Sequence, residues 1–311
     1  MFYETVMKSC VVTGGAGFIG SHLTRRLLDD GYKVTVIDDF SEGKRENLPK
    51  KHPNLKIIKA SILDDVSKYI KGADVIFHLA ALPRLQRSLD DPWKTHMVNV
   101  DGTLNLLLIA RKENVKRFIF SSSSSVYGNK NKIPFKETMT PDPLVPYSLH
   151  KLISEDYCKM FGKIWGLGTI SLRYFNVYGS RMNPDSPYSN LLPKFIKQIS
   201  QGKTPVIHGT GSHTRDFTYV SDVVEANILA AKSKLSGEIF NIGYGQGISV
   251  NKVVKTLEKL MGKKVKVVHD STRIEPKATL SSYTKAKKLL GYRPKVSFEE
   301  GLKIVLSETV K

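Results

Sequence analysis

Little in this 311-residue chain could brace it covalently, because its two cysteines, Cys10 and Cys158, are too few for a disulfide framework. Cys10 sits inside an apolar run that reads as a strand, so a reducing compartment and a cytoplasmic location are expected. No apolar stretch reaches the ~18 residues that a bilayer span requires. The opening MFYETVMKSCVVTGG also lacks a charged segment followed by a long apolar core. Membrane insertion is therefore not expected, and the residues before Met7 read as an extension outside the fold. Acidic residues are scarce beside basic ones, 29 against 48, for a formal net charge of +19. That surplus fits a solvated lysine-rich surface and attraction for an anionic substrate. Specific nucleic-acid binding is not expected, since no basic run is interleaved with aromatics that could stack bases. Internal repeats and low-complexity linkers are missing too, and no metal site is expected.

What the chain does have is hydrophobic content, 41%, enough to build a proper core in one large domain or two modest ones. Through the first half, apolar runs that read as strands alternate with helical periods: SCVVTG, then Ile19 to Asp30, KVTVID, LKIIKA, DVIFHLAA, a long helix near Pro92 to Glu113, and KRFIFS. Strict alternation with buried-type strands predicts an α/β fold with a doubly wound parallel sheet. Beyond about Phe175 the pattern loosens into loops rich in Pro, Gly, Ser and Asn. The expected division is a Rossmann-like domain over 1–175, with some later segments returning to it, and a smaller substrate-binding domain over 176–311.

The segment VVTGGAGFIGSHL follows the first strand and opens the first helix. Gly15, Gly17 and Gly20 have dinucleotide-loop spacing: one for the tight turn, one for approach to a pyrophosphate, one for helix packing on the strand. The second strand ends in Asp38, eighteen residues beyond Gly20, where a carboxylate binds an adenosine ribose diol. Asp39 follows it, so a 2′-phosphate would meet negative charge, and NAD is expected over NADP.

Tyr147 and Lys151 lie four apart in PYSLHKLISEDY, which on a helix places them on one face. An ammonium near a phenol favours the phenolate and lowers its pKa from about 10. Tyr283 and Lys287 repeat the spacing, but in a lysine-rich segment far from any comparable strand, and read as a solvated helical face. The stretch FIFSSSSSVYG is harder to place. Its five serines close at once on Val126 and Tyr127, which argues for a strand end whose hydroxyls face something, not for a linker.

TGGAGFIG, DVIFHLAA, FSSSSSVYG, YSLHK, RYFNVYG, RDFTYV and KAKKLLGYRPKVSFEEGL, in this order, resemble the extended short-chain dehydrogenase family, in particular its NAD-dependent UDP-hexose 4-epimerase branch. The resemblance implies that Ser123 is the catalytic hydroxyl, with Ser121 and the other serines as cofactor-pocket neighbours. It implies that Tyr147, as phenolate, takes the proton of a sugar 4-hydroxyl while hydride leaves C4 for NAD, and that Lys151 holds the nicotinamide ribose. A 4-keto sugar then turns and receives the hydride on its other face. Around the cofactor it implies Gly14, Phe18 and Ile19 beside the spaced glycines, then Leu79, Ala80 and Ala81 as lining. Asn99 would brace the site, and Tyr174 and Phe175 would wall the nicotinamide. Asn176, Asn190 and Leu191 take the places of nucleotide-sugar contacts, Val206 and His208 those flanking the uracil, and Arg215 and Arg273 those of the diphosphate clamp.

Several positions depart from the family pattern. Ser61, beside Ile62, replaces the acidic residue near the adenine. RIEP replaces an R-x-G-D run and leaves Glu275 as a ribose ligand, and Ser282 stands where an aspartate follows. Pro83 and Arg84 line the sugar pocket. The wall that an aromatic residue occupies in relatives excluding 2-acetamido sugars falls on Thr279 or Leu280, so UDP-N-acetylglucosamine and its galacto epimer are expected substrates beside UDP-glucose and UDP-galactose. Dehydratases of the family need an Asp-Glu pair beside the catalytic hydroxyl, where this chain has Ser124 and Ser125. A UDP-glucuronate decarboxylase needs a residue for the C6 carboxylate, and Arg84 is the one at hand. A non-catalytic NAD-bound protein or a polyanion-binding module are readings of another class. The family commonly dimerises through two helices, here near Pro92 to Glu113 and Tyr147 to Lys163, so a homodimer is expected.

Overall fold

In a computed structural model of the chain, the structure describes residues 8–186, 191–271 and 278–309. Seven strands form one sheet: β1 (Ser9–Thr13), β2 (Lys33–Asp38), β3 (Leu55–Lys59), β4 (Val75–His78), β5 (Arg117–Ser123), β6 (Gly168–Tyr174) and β7 (Glu238–Ile242). Their order across the sheet is β7-β6-β5-β4-β1-β2-β3. The ladders from β3 across to β5 are all parallel. The α/β doubly wound architecture is thus the one expected. Helices on the faces explain why strands such as β4 and β6 are buried along their whole length.

Chain order reverses between β1 and β4, and the carboxyl ends of such strands are where an open α/β sheet binds ligands. Helix α1 (Phe18–Asp29) starts directly after β1. On one face of the sheet Val11, Ile76, Phe118 and Phe120 pack with Leu106 and Leu107 of α2 (Gly102–Lys112) and with Cys158 and Phe161 of α3 (Pro146–Trp165). Helix α3 is bounded as its sequence dictates, with Pro146 in the first turn and Gly166 at φ 70° closing the last.

One expected element differs. The helix predicted over Pro92 to Glu113 runs as an α-helical turn (Pro92–His96), a π-helical stretch (Met97–Asp101) and then α2. The wider π turn turns Asn99 inward, and π-bulges of this kind concentrate at functional sites.

The chain forms two compact units. The first comprises residues up to Val126, Pro143–Arg173 and Val224–Phe240; the second comprises Tyr127–Asp142, Tyr174–Val223 and residues from Asn241 on. The second unit is organised by Asp216, fully buried, whose carboxylate accepts from the N–H groups of Tyr244, Gly245 and Ser281 and from the Ser281 hydroxyl. An aromatic cluster of Tyr178, Phe217, Tyr219 and Phe298 fills the same unit. Among the described residues no helix is long and apolar enough to cross a membrane.

Candidate active site

The loop after β1 is shaped by close approaches. Gly14 adopts φ 68°, and a Cβ there would lie 2.7 Å from the Ala80 nitrogen, so the loops after β1 and β4 touch. The left-handed turn therefore belongs to Gly14, not to Gly15, whose missing side chain instead makes room for Val36 of β2. A Cβ at Gly20 would sit 2.1 Å from the Gly14 carbonyl, which is the helix-to-loop packing expected of it. Gly17 is the helix N-cap, and no side chain caps that end, so the first-turn N–H groups at Phe18 and Ile19 are left for a ligand.

Asp38, 6% exposed, accepts from Ala16 N–H at 2.8 Å and from Phe40 N–H at 2.9 Å, tying the glycine loop to the end of β2. Burial raises its pKa, and those two N–H groups oppose the rise. Each oxygen retains a lone pair for a ribose hydroxyl. Asp39 accepts from Ser41 N–H and hydroxyl, which fixes its carboxyl group next to Asp38. An uncapped helix end, a loop stripped of Cβ atoms and a carboxylate followed by a second acid fit NAD. Leu79 N–H donates to the Thr13 carbonyl at 3.1 Å, and Leu79, Ala80 and Ala81 are half-buried after β4.

Ser61 and Ile62 are placed differently from one another. The Ser61 hydroxyl accepts from Leu63 N–H and its own N–H donates to Asp64, so the turn is satisfied locally. Ile62 points into the core under α2, and its carbonyl accepts from Asn105.

Asn99, 2% exposed, clamps both backbone groups of Leu82: its Oδ1 accepts from Leu82 N–H at 2.8 Å and its Nδ2 donates to the Leu82 carbonyl at 3.1 Å. The clamp fixes the loop that ends in Arg84. Arg84 has φ 95°, an outlier for a side-chain-bearing residue, and begins the short helix Leu85–Asp90 that packs on α3.

At the end of β5 the five serines separate. Ser121 and Ser122 are buried strand residues, Ser123 is the last, and Ser124 and Ser125 enter a 3₁₀ turn. Tyr147, half-buried in the first turn of α3, has the Ser123 hydroxyl as a neighbour. The pKa of Tyr147 is raised by burial, and the groups opposing the rise are the Arg84 guanidinium and the Ser123 hydrogen bond. Lys151 is not among the groups that oppose the rise. The Lys151 Nζ donates to the Ser121 carbonyl at 2.7 Å, lies over the Phe120 ring at 4.8 Å, and is 5.9 Å from the centre of the Tyr147 ring. Burial lowers the Lys151 pKa to about 8, so this ammonium is itself costly to keep charged.

Ser122 was expected only as a small lining residue, but its hydroxyl donates to Glu155, which makes a bidentate pair with Arg173. The missed signals were an arginine inside the apolar strand GTISLRY and a carboxylate four residues beyond Lys151. The Tyr283 and Lys287 pair is only partly a solvated face: Lys287 is exposed, while the Tyr283 ring packs against Gly245 and edge-on to Tyr292.

The second unit holds the other expected contacts. Phe175 is fully buried within 6.3 Å of the Tyr127 and Phe135 rings, so its ring is committed to that core, whereas Tyr174 is 8% exposed. Asn176 donates to Thr279 Oγ1 at 3.0 Å, which places Thr279 as a buried bridging hydroxyl and leaves half-buried Leu280 as its more open neighbour. Arg215, half-buried, donates to the Thr214 carbonyl at 3.0 Å. Val206 is exposed, and His208 Nδ1 lies 3.8 Å from Asp270 Oδ2. Leu191 opens a helix, Leu191–Ser200. Asn190, Arg273 and Glu275 lie outside the described residues.

The sequence model described as the NAD-dependent epimerase/dehydratase family matches residues 10–243. The chain belongs to this family. NAD is accordingly its cofactor, in agreement with the loop and carboxylates above, and the chain is an enzyme of the family. It is 35% identical over 301 residues to a putative UDP-glucose 4-epimerase of Methanocaldococcus jannaschii, covering 96% of this chain and 97% of that one. It is 38% identical over 311 residues to a UDP-N-acetyl-alpha-D-glucosaminuronate decarboxylase of Bacillus cytotoxicus, covering 95% and 96%. Among solved structures, a UDP-N-acetylglucosamine 4-epimerase of Methanobrevibacter ruminantium in complex with UDP-N-acetylmuramic acid matches with a TM-score of 0.95 at 38% identity, covering 98% of each chain. Members this similar differ in reaction, so the family fixes the cofactor and the fold and leaves the sugar to the site.

Proposed function

We propose that the chain interconverts UDP-hexoses at C4, taking UDP-glucose and UDP-galactose and also their 2-acetamido counterparts. The observation that carries this reading is the Ser123 hydroxyl and Lys151 set beside Tyr147, in a turn where Ser124 and Ser125 replace the acid pair that elimination needs. Tyr147 takes the proton of the sugar 4-hydroxyl at its phenolate oxygen, and Ser123 hydrogen-bonds the same sugar oxygen and relays the proton. Arg84 favours the phenolate. Lys151, anchored on the Ser121 carbonyl, orients the cofactor ribose. Bound NAD supplies hydride acceptance and return at C4, so the cycle consumes no second substrate.

Asn176, Asn190, Leu191, Val206 and His208 take nucleotide-sugar roles in this reading, with Glu275 on a ribose. Arg215 and Arg273 hold the diphosphate, where a planar fork suits paired anionic oxygens. Neither Thr279 nor Leu280 carries a ring, which leaves space for an acetamido group. The enzyme works in the cytoplasm, and it forms a homodimer, the latter supported by Leu108 on α2 and by Leu149, Met160 and Ile164 along one face of α3, all exposed.

A second reading, a substrate with a carboxylate at C6, is favoured by one observation: a guanidinium interacts with the reacting phenol. Incubation with UDP-glucose, UDP-N-acetylglucosamine and UDP-glucuronate, followed by separation of products, decides between them. We expect galacto epimers of the first two, with no release of carbon dioxide. Turnover of UDP-glucuronate alone would overturn the first reading in favour of the second.

A further inference from the structure

Buried ion pairs rarely repay their desolvation as stability, so one lying directly behind a reacting group asks for another explanation. Glu155 and Arg173 are 1% and 2% exposed. Arg173 Nε donates to Glu155 Oε1 at 2.9 Å and Nη2 to Oε2 at 2.6 Å. The same Oε1 accepts from Ser122, the residue between Ser121, whose carbonyl holds Lys151, and Ser123, whose hydroxyl neighbours Tyr147. Glu155 is also one helical turn beyond Lys151 on α3. A single carboxylate thus grips the end of β5 from α3 and faces the ammonium from the same helix, while Arg173 on β6 fixes that carboxylate's two oxygens.

We propose that Glu155, locked by Arg173, is a positioning residue for catalysis: it sets the Ser121–Ser123 strand end against α3 and supplies the counter-charge that keeps Lys151 an ammonium. The proposal rests on the reading of Ser123, Tyr147 and Lys151 given above. Among the described residues near Lys151, Glu155 stands as the counter-charge. His78 from β4 is held neutral by burial, with its pKa lowered to about 3, and its ring nitrogens face Thr13 and Thr103. His150 on α3 is lowered to about 4, and burial pushes the Cys158 thiol well above its ordinary value. Burial raises the Tyr147 pKa and so disfavours a standing negative charge there. From β5 come only the Phe120 ring and the Ser121 carbonyl.

The sign follows. Burial has already brought Lys151 to about 8, and the Glu155 charge opposes a further fall. Removing that charge moves the ammonium's titration, and with it the alkaline limb of kcat, to lower pH. Three variants are compared: Glu155→Gln, the double variant Glu155→Met/Arg173→Met, and Tyr147→Phe. The double variant removes both charges together and leaves only the Ser122 hydroxyl without its acceptor, a smaller penalty than the unpaired Arg173 charge of the single change. In both Glu155 variants we expect kcat at pH 8 to fall about 30-fold, KM to stay within about 3-fold, and NAD released by acid to stay at the wild-type amount. A measurement that needs no substrate accompanies these: the carbon-13 side-chain resonance of Lys151, assigned with Lys151→Met, should titrate at lower pH in the Glu155 variants. A folded double variant with wild-type kcat and an unmoved Lys151 titration would overturn the proposal and leave the pair as packing. Full activity in Tyr147→Phe would instead sink the catalytic reading itself.

Discussion

At Tyr147 two effects oppose one another, burial pushing the phenol up and the Arg84 guanidinium with the Ser123 hydroxyl pulling it down. A base must lose its proton before it can act, so any group that lowers this pKa raises the fraction of chain poised to react. Replacing Arg84 by Met removes the cation, so the acid limb of the pH profile should move to higher pH. Activity at pH 7 should fall about tenfold for each unit of that movement. Comparing kcat/KM against pH for wild type and Arg84→Met measures it, and an unmoved acid limb would remove Arg84 from this role. On UDP-glucuronate the loss should exceed that on UDP-glucose only if the guanidinium also meets a carboxylate. The spacing of Tyr147 and Lys151 was legible because it is local to one helix. Arg84 as the opposing cation was not, because its position depends on a backbone at φ 95° and on a clamp from Asn99, fifteen residues away.

At the scale of elements, strands β1 to β5 and helix α1 were readable from alternating apolar runs, and the glycine loop from its spacing. The division of labour among those glycines was not readable, since it depends on what lies opposite: Ala80 for Gly14 and Val36 for Gly15. The π-helical stretch Met97–Asp101 also leaves no mark in a helical period. Strand β4 carries a pH-dependent consequence. His78 is 1% exposed, with its pKa lowered to about 3, and hydrogen-bonds Thr13 on β1 and Thr103 on α2. The unfolded chain, with an ordinary histidine pKa near 6.5, binds the proton first, so the stability contribution is complete above about pH 6.5 and declines as pH falls toward 3. At pH 5 the loss from one such histidine is about 2 kcal/mol. Denaturant unfolding of wild type and His78→Asn at pH 7 and pH 5 should show a smaller drop in the variant. Equal drops would mean that other groups carry the acid sensitivity.

For the whole molecule, the charge of +19 can be counted from the sequence, but the interleaving of the two compact units, with Tyr127–Asp142 in the second and Val224–Phe240 in the first, leaves no mark in it. The exposed face of α3 adds a test of assembly. Leu149, Met160 and Ile164 are 45%, 39% and 58% exposed, more apolar surface along one helix than a solvated face requires. Light scattering behind size exclusion should find a dimer for wild type, and a folded monomer for Leu149→Glu/Ile164→Glu. A wild-type monomer, or a double variant that still dimerises, would move the interface elsewhere or abolish it.

The chain passes between the two compact units five times, and the first is finished only by Val224–Phe240. During synthesis, therefore, the sheet waits. Strand β6, buried at all seven positions, has its outer neighbour in β7, which leaves the ribosome more than sixty residues later. Until then β6 is an unpaired apolar edge, the kind of surface on which nascent chains stick to one another. A truncated 1–175 fragment would make that interval permanent. It carries the glycine loop, Ser123, Tyr147 and Lys151, yet it should be recovered as aggregate, and co-expression of residues 176–311 should restore it to solution only if β7 can pair in trans.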